Sequence, residues 1–320
     1  MPEPKWSSAF VPLNRRIAQL RSRLPPPLQG WVPDLPPPTL RNLWLCLALL
    51  VACQNCWVVH TSQGSTDAVL AILLWGGGLI CIEDQLEQLR PQPGWLGLFL
   101  GTLLLLWVMA RSAVILSWDA VIFVLAPLAG LALSLLCLPL TRLWRFRDPL
   151  ICLLLLPLFK ILTMRLPEQG LSLITAKGAG FWLSSLGLFV LVDGRKVMLP
   201  GGAVTVGGPC NGIEIMAMLI CVSFIFLLAF PVRSWLSRIT LILIAPLLGL
   251  ISNTTRIALL AILTTVDKMP GGRWFDFFHE QEGSLVFSGV AVFVFGAIYL
   301  RLLERELPPL DEDSQARPEP

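Results

Sequence analysis

Charge is scarce in this chain of 320 residues: only 14% are Asp, Glu, Lys or Arg. Soluble globular domains carry about a quarter, so that class is excluded. The formal net charge of +3 is too small to attract a nucleic-acid backbone. Histidine is scarcer still. The two that exist, His60 and His279, form no ligand cluster, and the residues imply neither a metal nor a cofactor. No internal repeat is evident, which argues against a transporter built from inverted repeats.

Apolar residues are plentiful, at 55% of the chain, with a mean hydropathy of +0.72. They come in long runs rather than at amphipathic spacing. Stretches such as 96–110 and 120–140 carry no charge at all. A bilayer core about 30 Å thick needs roughly 20 such residues as helix, so the chain reads as an all-α polytopic membrane protein in contact with the lipid bilayer. Seven of the eight cysteines, Cys46, Cys53, Cys56, Cys81, Cys137, Cys152 and Cys221, lie in or beside these runs, as small hydrophobes do. Cys53-Gln54-Asn55-Cys56 has the C-x-x-C form but not the strand–helix setting of a redox motif.

Eight transmembrane helices are expected, at about 43–60, 68–83, 96–116, 119–139, 149–164, 212–230, 238–260 and 284–302. Lys and Arg in short flanks set orientation. With both termini inside, Arg15, Arg16, Arg142, Arg145, Arg147, Arg233 and Arg301 are all cytoplasmic. Residues 1–42 then form a basic, proline-rich cytoplasmic arm without the pattern of a signal peptide. Residues 43–306 form the transmembrane domain, and 307–320 an acidic, disordered cytoplasmic tail. An extracytoplasmic insertion, 165–211, is expected to hold a surface helix near 171–188. A β-hairpin follows over 190–206, with turns at Asp193-Gly194 and Pro200-Gly201. A second outer segment covers 267–283. The apolar run from 239 to 266 would be about 40 Å long as one helix, so a break or protrusion is expected there.

Cys210 stands apart from the other cysteines. It follows Gly207-Gly208-Pro209 and opens the sixth span, at the outer N-terminus of a long helix. Orphan N–H groups and the positive dipole end there favour a thiolate and could hold an oxyanion. Gly212 allows close backbone approach. Arg256 lies in an apolar run near the outer hydrocarbon edge, one turn after Asn253. A buried arginine is costly and should face a cavity or partner; snorkelling to the outer headgroups is the alternative. His279 precedes the last span on the same side. A thiol, a base to activate it and a cation for the oxyanion thus share one membrane boundary. Glu214, one turn past Cys210, could tune the thiol, pair with Arg256, or simply be a helix-start charge favoured by the dipole.

Pro209-Cys210-Asn211-Gly212, Asn253-Thr254-Thr255-Arg256 and His279 to Gly283, in this order on successive membrane segments, resemble the motifs of the exosortase/archaeosortase family. The resemblance covers roughly residues 40–305. Asparagine after the cysteine, where bacterial members often have serine, and the lead-in Gly-Gly-Pro-Cys-Asn-Gly are similar to the cyanobacterial branch, the cyanoexosortases. The resemblance implies a cysteine transpeptidase or protease of the plasma (inner) membrane, with its active site on the extracytoplasmic side. Its partners would be exported proteins bearing a C-terminal sorting signal: a Pro-Glu-Pro motif, a transmembrane helix and a basic cluster. Cys210 would form a thioester with His279 as base, and Arg256 would stabilise the oxyanion or orient the substrate carbonyl. Asn253, Gly212, Gly283 and Glu214 would support them. Water, or a glycan or lipid amine, would resolve the acyl-enzyme. The chain's own Pro2-Glu3-Pro4 and Pro318-Glu319-Pro320 are not followed by a helix and basic cluster, and read as coincidence.

Two other classes fit parts of the pattern. A transporter or flippase would use Arg256 and Glu214 along an anion or lipid pathway but gives Cys210 and His279 nothing to do. A non-catalytic factor in surface polysaccharide assembly is the second.

Overall fold

The computed structural model describes residues 40–83, 91–114, 121–165, 167–266 and 272–306. The arm and tail expected at 1–39 and 307–320, including both Pro-Glu-Pro stretches, lie outside the described residues. So do 267–271 of the second outer segment.

Each apolar stretch is helical. The helices are α1 (Leu40–Gln63), α2 (Ser65–Ile80), α3 (Trp95–Ala113), α4 (Val121–Cys137), α5 (Arg147–Arg165), α6 (Glu168–Ser185), α7 (Ile213–Ala229), α8 (Trp235–Val266), α9 (Arg273–His279) and α10 (Gln281–Glu306). By length and hydropathy alone, four of them can cross a membrane, or up to five if α5 with α6 counts as one bent span. The eight expected crossings exceed this because α2, α4 and α7 have only 16, 17 and 17 residues. At 1.5 Å per residue these reach about 24–26 Å, just short of the hydrocarbon thickness.

The expected hairpin is a three-stranded antiparallel meander, β1 (Leu191–Asp193), β2 (Lys196–Leu199) and β3 (Gly202–Thr205). Val197 pairs with Val192 on one side and Val204 on the other, so alternation brings valines to one face. That face packs with Ala176, Ala179 and Leu183 of α6 and Ile257, Leu260 and Ala261 of α8. Burying one such aliphatic side chain stabilises by about 1.5–3 kcal/mol relative to water. Within the helix bundle, lipid is as apolar as leucine, so packing rather than water exclusion holds the helices together. The helix expected near 171–188 begins three residues earlier. It buries a small-residue face of Ser172, Thr175, Ala176, Ala179 and Gly180.

Helix α8 organises the molecule. Its buried stripe runs Leu241, Ala245, Gly249, Asn253, Arg256, Ile257, Leu260 and Thr264, the spacing of one helical face. Of the break or protrusion expected in this span, the break is absent. All 32 residues continue through Pro246, about 48 Å of helix, which is longer than a bilayer core is thick. At its N-terminal end the Glu306 carboxylate, from the end of α10, accepts hydrogen bonds from the Arg233 N–H at 2.6 Å and the Ser237 hydroxyl at 3.0 Å. An anion there complements the helix dipole.

Candidate active site

Cys210 ends a 3₁₀ turn, Gly208–Cys210, between β3 and α7. Three side chains fix this corner. Asn253 donates from Nδ2 to the Cys210 carbonyl at 3.0 Å. The Thr175 hydroxyl donates to the Asn211 carbonyl at 2.8 Å. The Asn211 Oδ1 accepts the Ile213 N–H at 2.9 Å, capping the first turn of α7 as short polar side chains do. Gly212 has φ +86, and a Cβ there would lie 2.6 Å from Asn253 Nδ2. The position therefore needs glycine for conformation and for space. Asn211 Nδ2 and Asn253 Oδ1 are buried and make no hydrogen bond among the described residues.

His279 ends α9, a seven-residue helix. Its Nε2 lies 3.8 Å from Cys210 Sγ. The Phe275 ring stacks on the imidazole, with centroids 5.5 Å apart and planes 13° from parallel. Arg256, 3% exposed, donates from Nε to the Phe278 carbonyl at 2.9 Å. From Nη2 it donates to the His279 carbonyl at 2.7 Å and the Glu280 carbonyl at 3.5 Å. Carbonyls at a helix C-terminus have no partner within the helix and carry its negative dipole end; a guanidinium satisfies both needs. Gly283 lies against Phe277 and Phe278, where a Cβ would collide with the backbone. Only glycine lets α10 turn back so tightly on α9.

The expected lowering of the Cys210 thiol pKa by the helix end is outweighed. Cys210 lies in the apolar cluster of sheet, α6 and α8, and burial pushes its thiol up. The Arg256 charge opposes that shift, and Glu214 adds to it. Such a thiol needs a nearby base to become a nucleophile.

Glu214 does not pair directly with Arg256. It is exposed, with Lys160, Asp67 and Arg256 all within electrostatic reach. Lys160 of α5 and Asp67 of α2 form an ion pair at 2.6 Å, with side chains only 16% and 7% exposed. The ammonium also lies over the Phe123 and Phe159 rings, 5.0 and 5.5 Å from their centroids. Sequence reasoning passed over this pair, although a charge inside an apolar run is itself a signal. It also missed Thr175 and Gln281. The Gln281 Oε1 accepts the Ser65 N–H at 2.8 Å, tying the α1–α2 corner to the start of α10. Among the described residues, no three His, Cys, Asp or Glu side chains are grouped to hold a metal ion.

The family model for the transmembrane exosortase (Exosortase_EpsH) matches residues 57–296. The chain belongs to the transmembrane exosortase family. The match is longer than the site and includes Cys210, Arg256 and His279 with all the helices that carry them. No curated protein and no solved structure matches this exosortase. Family membership and the apolar helices make it a multi-pass membrane protein.

Proposed function

We propose that this protein is a membrane-embedded cysteine transpeptidase or protease. It cleaves C-terminal sorting signals that consist of a Pro-Glu-Pro motif, a transmembrane helix and a basic cluster. The observation that carries this reading is the 3.8 Å approach of Cys210 Sγ to His279 Nε2, on a chain of the exosortase family. Neither a transporter nor an assembly factor has a use for that contact.

In the proposed reaction His279 Nε2 takes the thiol proton as Sγ attacks the scissile carbonyl carbon. The C=O electrons move to oxygen, and the tetrahedral intermediate collapses with loss of the amine, which His279 protonates. A thioester remains on Cys210. Water, or a glycan or lipid amine, then attacks that carbonyl and gives its proton to His279. The thiolate leaves and recovers that proton. Arg256 has two roles here. Its charge favours the thiolate and the oxyanion through space, and its hydrogen bonds orient the turn that carries His279. Asn253 and Gly212 hold the nucleophile's backbone, and Gly283 the corner after the base.

Membership of the exosortase family supports a plasma (inner) membrane location, and the distribution of Lys and Arg supports cytoplasmic termini around a transmembrane domain over 43–306 with an extracytoplasmic site. The test is co-expression with a tagged substrate carrying such a tail, comparing the intact chain with Cys210→Ala. Tail loss that requires Cys210 is the expected result. An intact tail beside folded wild-type protein would overturn the reading.

A further inference from the structure

A second feature lies outside the Cys–His site. Helices α1 and α2, with α4 and α5 behind them, enclose an apolar groove of about 920 Å³. It opens on one side, where Leu49, Trp57, Ile72 and Leu79 are more than half exposed. Its lining runs along α1 from Trp44 to His60 and along α2 from Ser65 to Gly78 and beyond. Sixteen steps of helix are about 24 Å, most of the height of a bilayer core. A lipid acyl chain reaches through one leaflet, about half that core, and this groove is longer. The occupant it fits in length is a transmembrane helix.

Its walls are made for close helix approach. Gly76, where a Cβ would meet nothing within 4 Å, lines it beside Ala48 and Ala52, and small residues let backbones pack where no water drives association. Trp75 forms part of the wall, its indole N–H held by Asn55 Oδ1 at 3.1 Å. One end of the groove leads to the catalytic site: Ser65 on its rim is bonded to Gln281, two residues after His279. The other end carries charge of both signs: Ile82 on the lining is followed by the exposed Glu83, and Asp148, 3.1 Å from Arg147, precedes Pro149 of the wall. A helix lying here would present its preceding segment to Cys210 and His279.

We propose that this groove receives the transmembrane helix of the substrate's sorting tail. The assignment rests on the transpeptidase reading for the identity of the tail, but its test does not depend on cleavage. A photoreactive residue is placed at Ile72 in the full-length Cys210→Ala chain, co-expressed with the tagged domain bearing a Pro-Glu-Pro, helix and basic-cluster tail. Cross-links to the tail helix are expected from Ile72 and none from Leu103, an exposed residue of α3 outside the groove. Cross-links to lipid alone, or equally from both positions, would overturn the proposal whatever Cys210 does.

Gly76→Leu gives the second measurement, in the wild-type background. A Cβ at Gly76 meets nothing within 4 Å, and neither does one at Gly289 on α10, so both leucines fit and only the first fills the groove. Bulk added to an apolar site commonly changes selection by about 10–200-fold. Tail loss should fall by at least that lower factor in Gly76→Leu, with alkylation of Cys210 unchanged, and should persist in Gly289→Leu. Wild-type processing by Gly76→Leu would overturn the groove and leave the chemistry standing. Absence of cleavage in the unsubstituted protein, with Ile72 still cross-linking to the tail, would overturn the chemistry and leave the groove.

Discussion

Arg256 donates from Nη2 to the main-chain carbonyl of His279 at 2.7 Å. The guanidinium therefore grips the peptide behind the imidazole, and its Nε takes the neighbouring Phe278 carbonyl. Lysine would keep the charge but not the planar fork. We expect Arg256→Lys to lower tail cleavage by about a hundredfold, the cost of a misplacement near 1 Å. Alkylation of Cys210 should keep its wild-type pH midpoint. Near-normal cleavage by the lysine variant would show that only the charge matters.

The charges around Cys210 give a signed pH prediction. Burial raises its thiol pKa, Arg256 opposes the rise and Glu214 adds to it. The thiolate is the charged form, so removing the nearby cation should raise the midpoint and removing the nearby anion should lower it. Iodoacetamide labelling of purified protein across pH should therefore shift upward in Arg256→Gln and downward in Glu214→Gln. Shifts of the same sign in both would contradict this electrostatic account.

Gly212→Ala should damage the site more than its backbone cost explains. A non-glycine residue in the left-handed region costs about 1–2 kcal/mol. Gly201→Ala carries a comparable cost, at φ +99 with nothing within 4 Å of a Cβ. Only at Gly212 does the new methyl strike Asn253, which holds the Cys210 carbonyl. Cleavage should be lost in Gly212→Ala and retained in Gly201→Ala, and the thermal midpoint should fall further in Gly212→Ala.

The Lys160–Asp67 pair should behave as a buried ion pair. Removing one partner strands a charge, at a cost of about 3–5 kcal/mol. Lys160→Met or Asp67→Asn alone should thus lower the unfolding midpoint in detergent. Combining them should recover most of the loss, and a double-mutant cycle with no coupling would exclude the interaction.

What could be read from the sequence follows the size of each signal. A membrane helix announces itself through 16 or more apolar residues, and every expected span holds a helix among the described residues. Cys210, Arg256 and His279 carried the motifs, and topology brought them to one boundary before any distance was known. Helix α9 is too short, at seven residues, to leave a periodic pattern. The Lys160–Asp67 contact joins two helices whose pairing no local pattern encodes. The acidity of Cys210 was misjudged because a helix end is visible in sequence, whereas burial under a small sheet is not. The continuity of α8 was equally hidden: the length of the apolar run allowed either a break or a protrusion, and the helix in fact continues through Pro246.

Helix α8 is fastened to α10 and to the turn before it at two heights. Glu306 clasps the start of α8, and far up the same pair Arg256 clasps the turn that leads into α10. Two struts pinned twice make a closed frame. Such a frame can tilt or ride up and down in a bilayer of changing thickness, but its upper corner cannot gape without releasing one of the pins. The imidazole hangs from that corner, and the turn that bears the sulfur is tied to the same strut through Asn253, so their spacing is set by the frame rather than by the lipid around them.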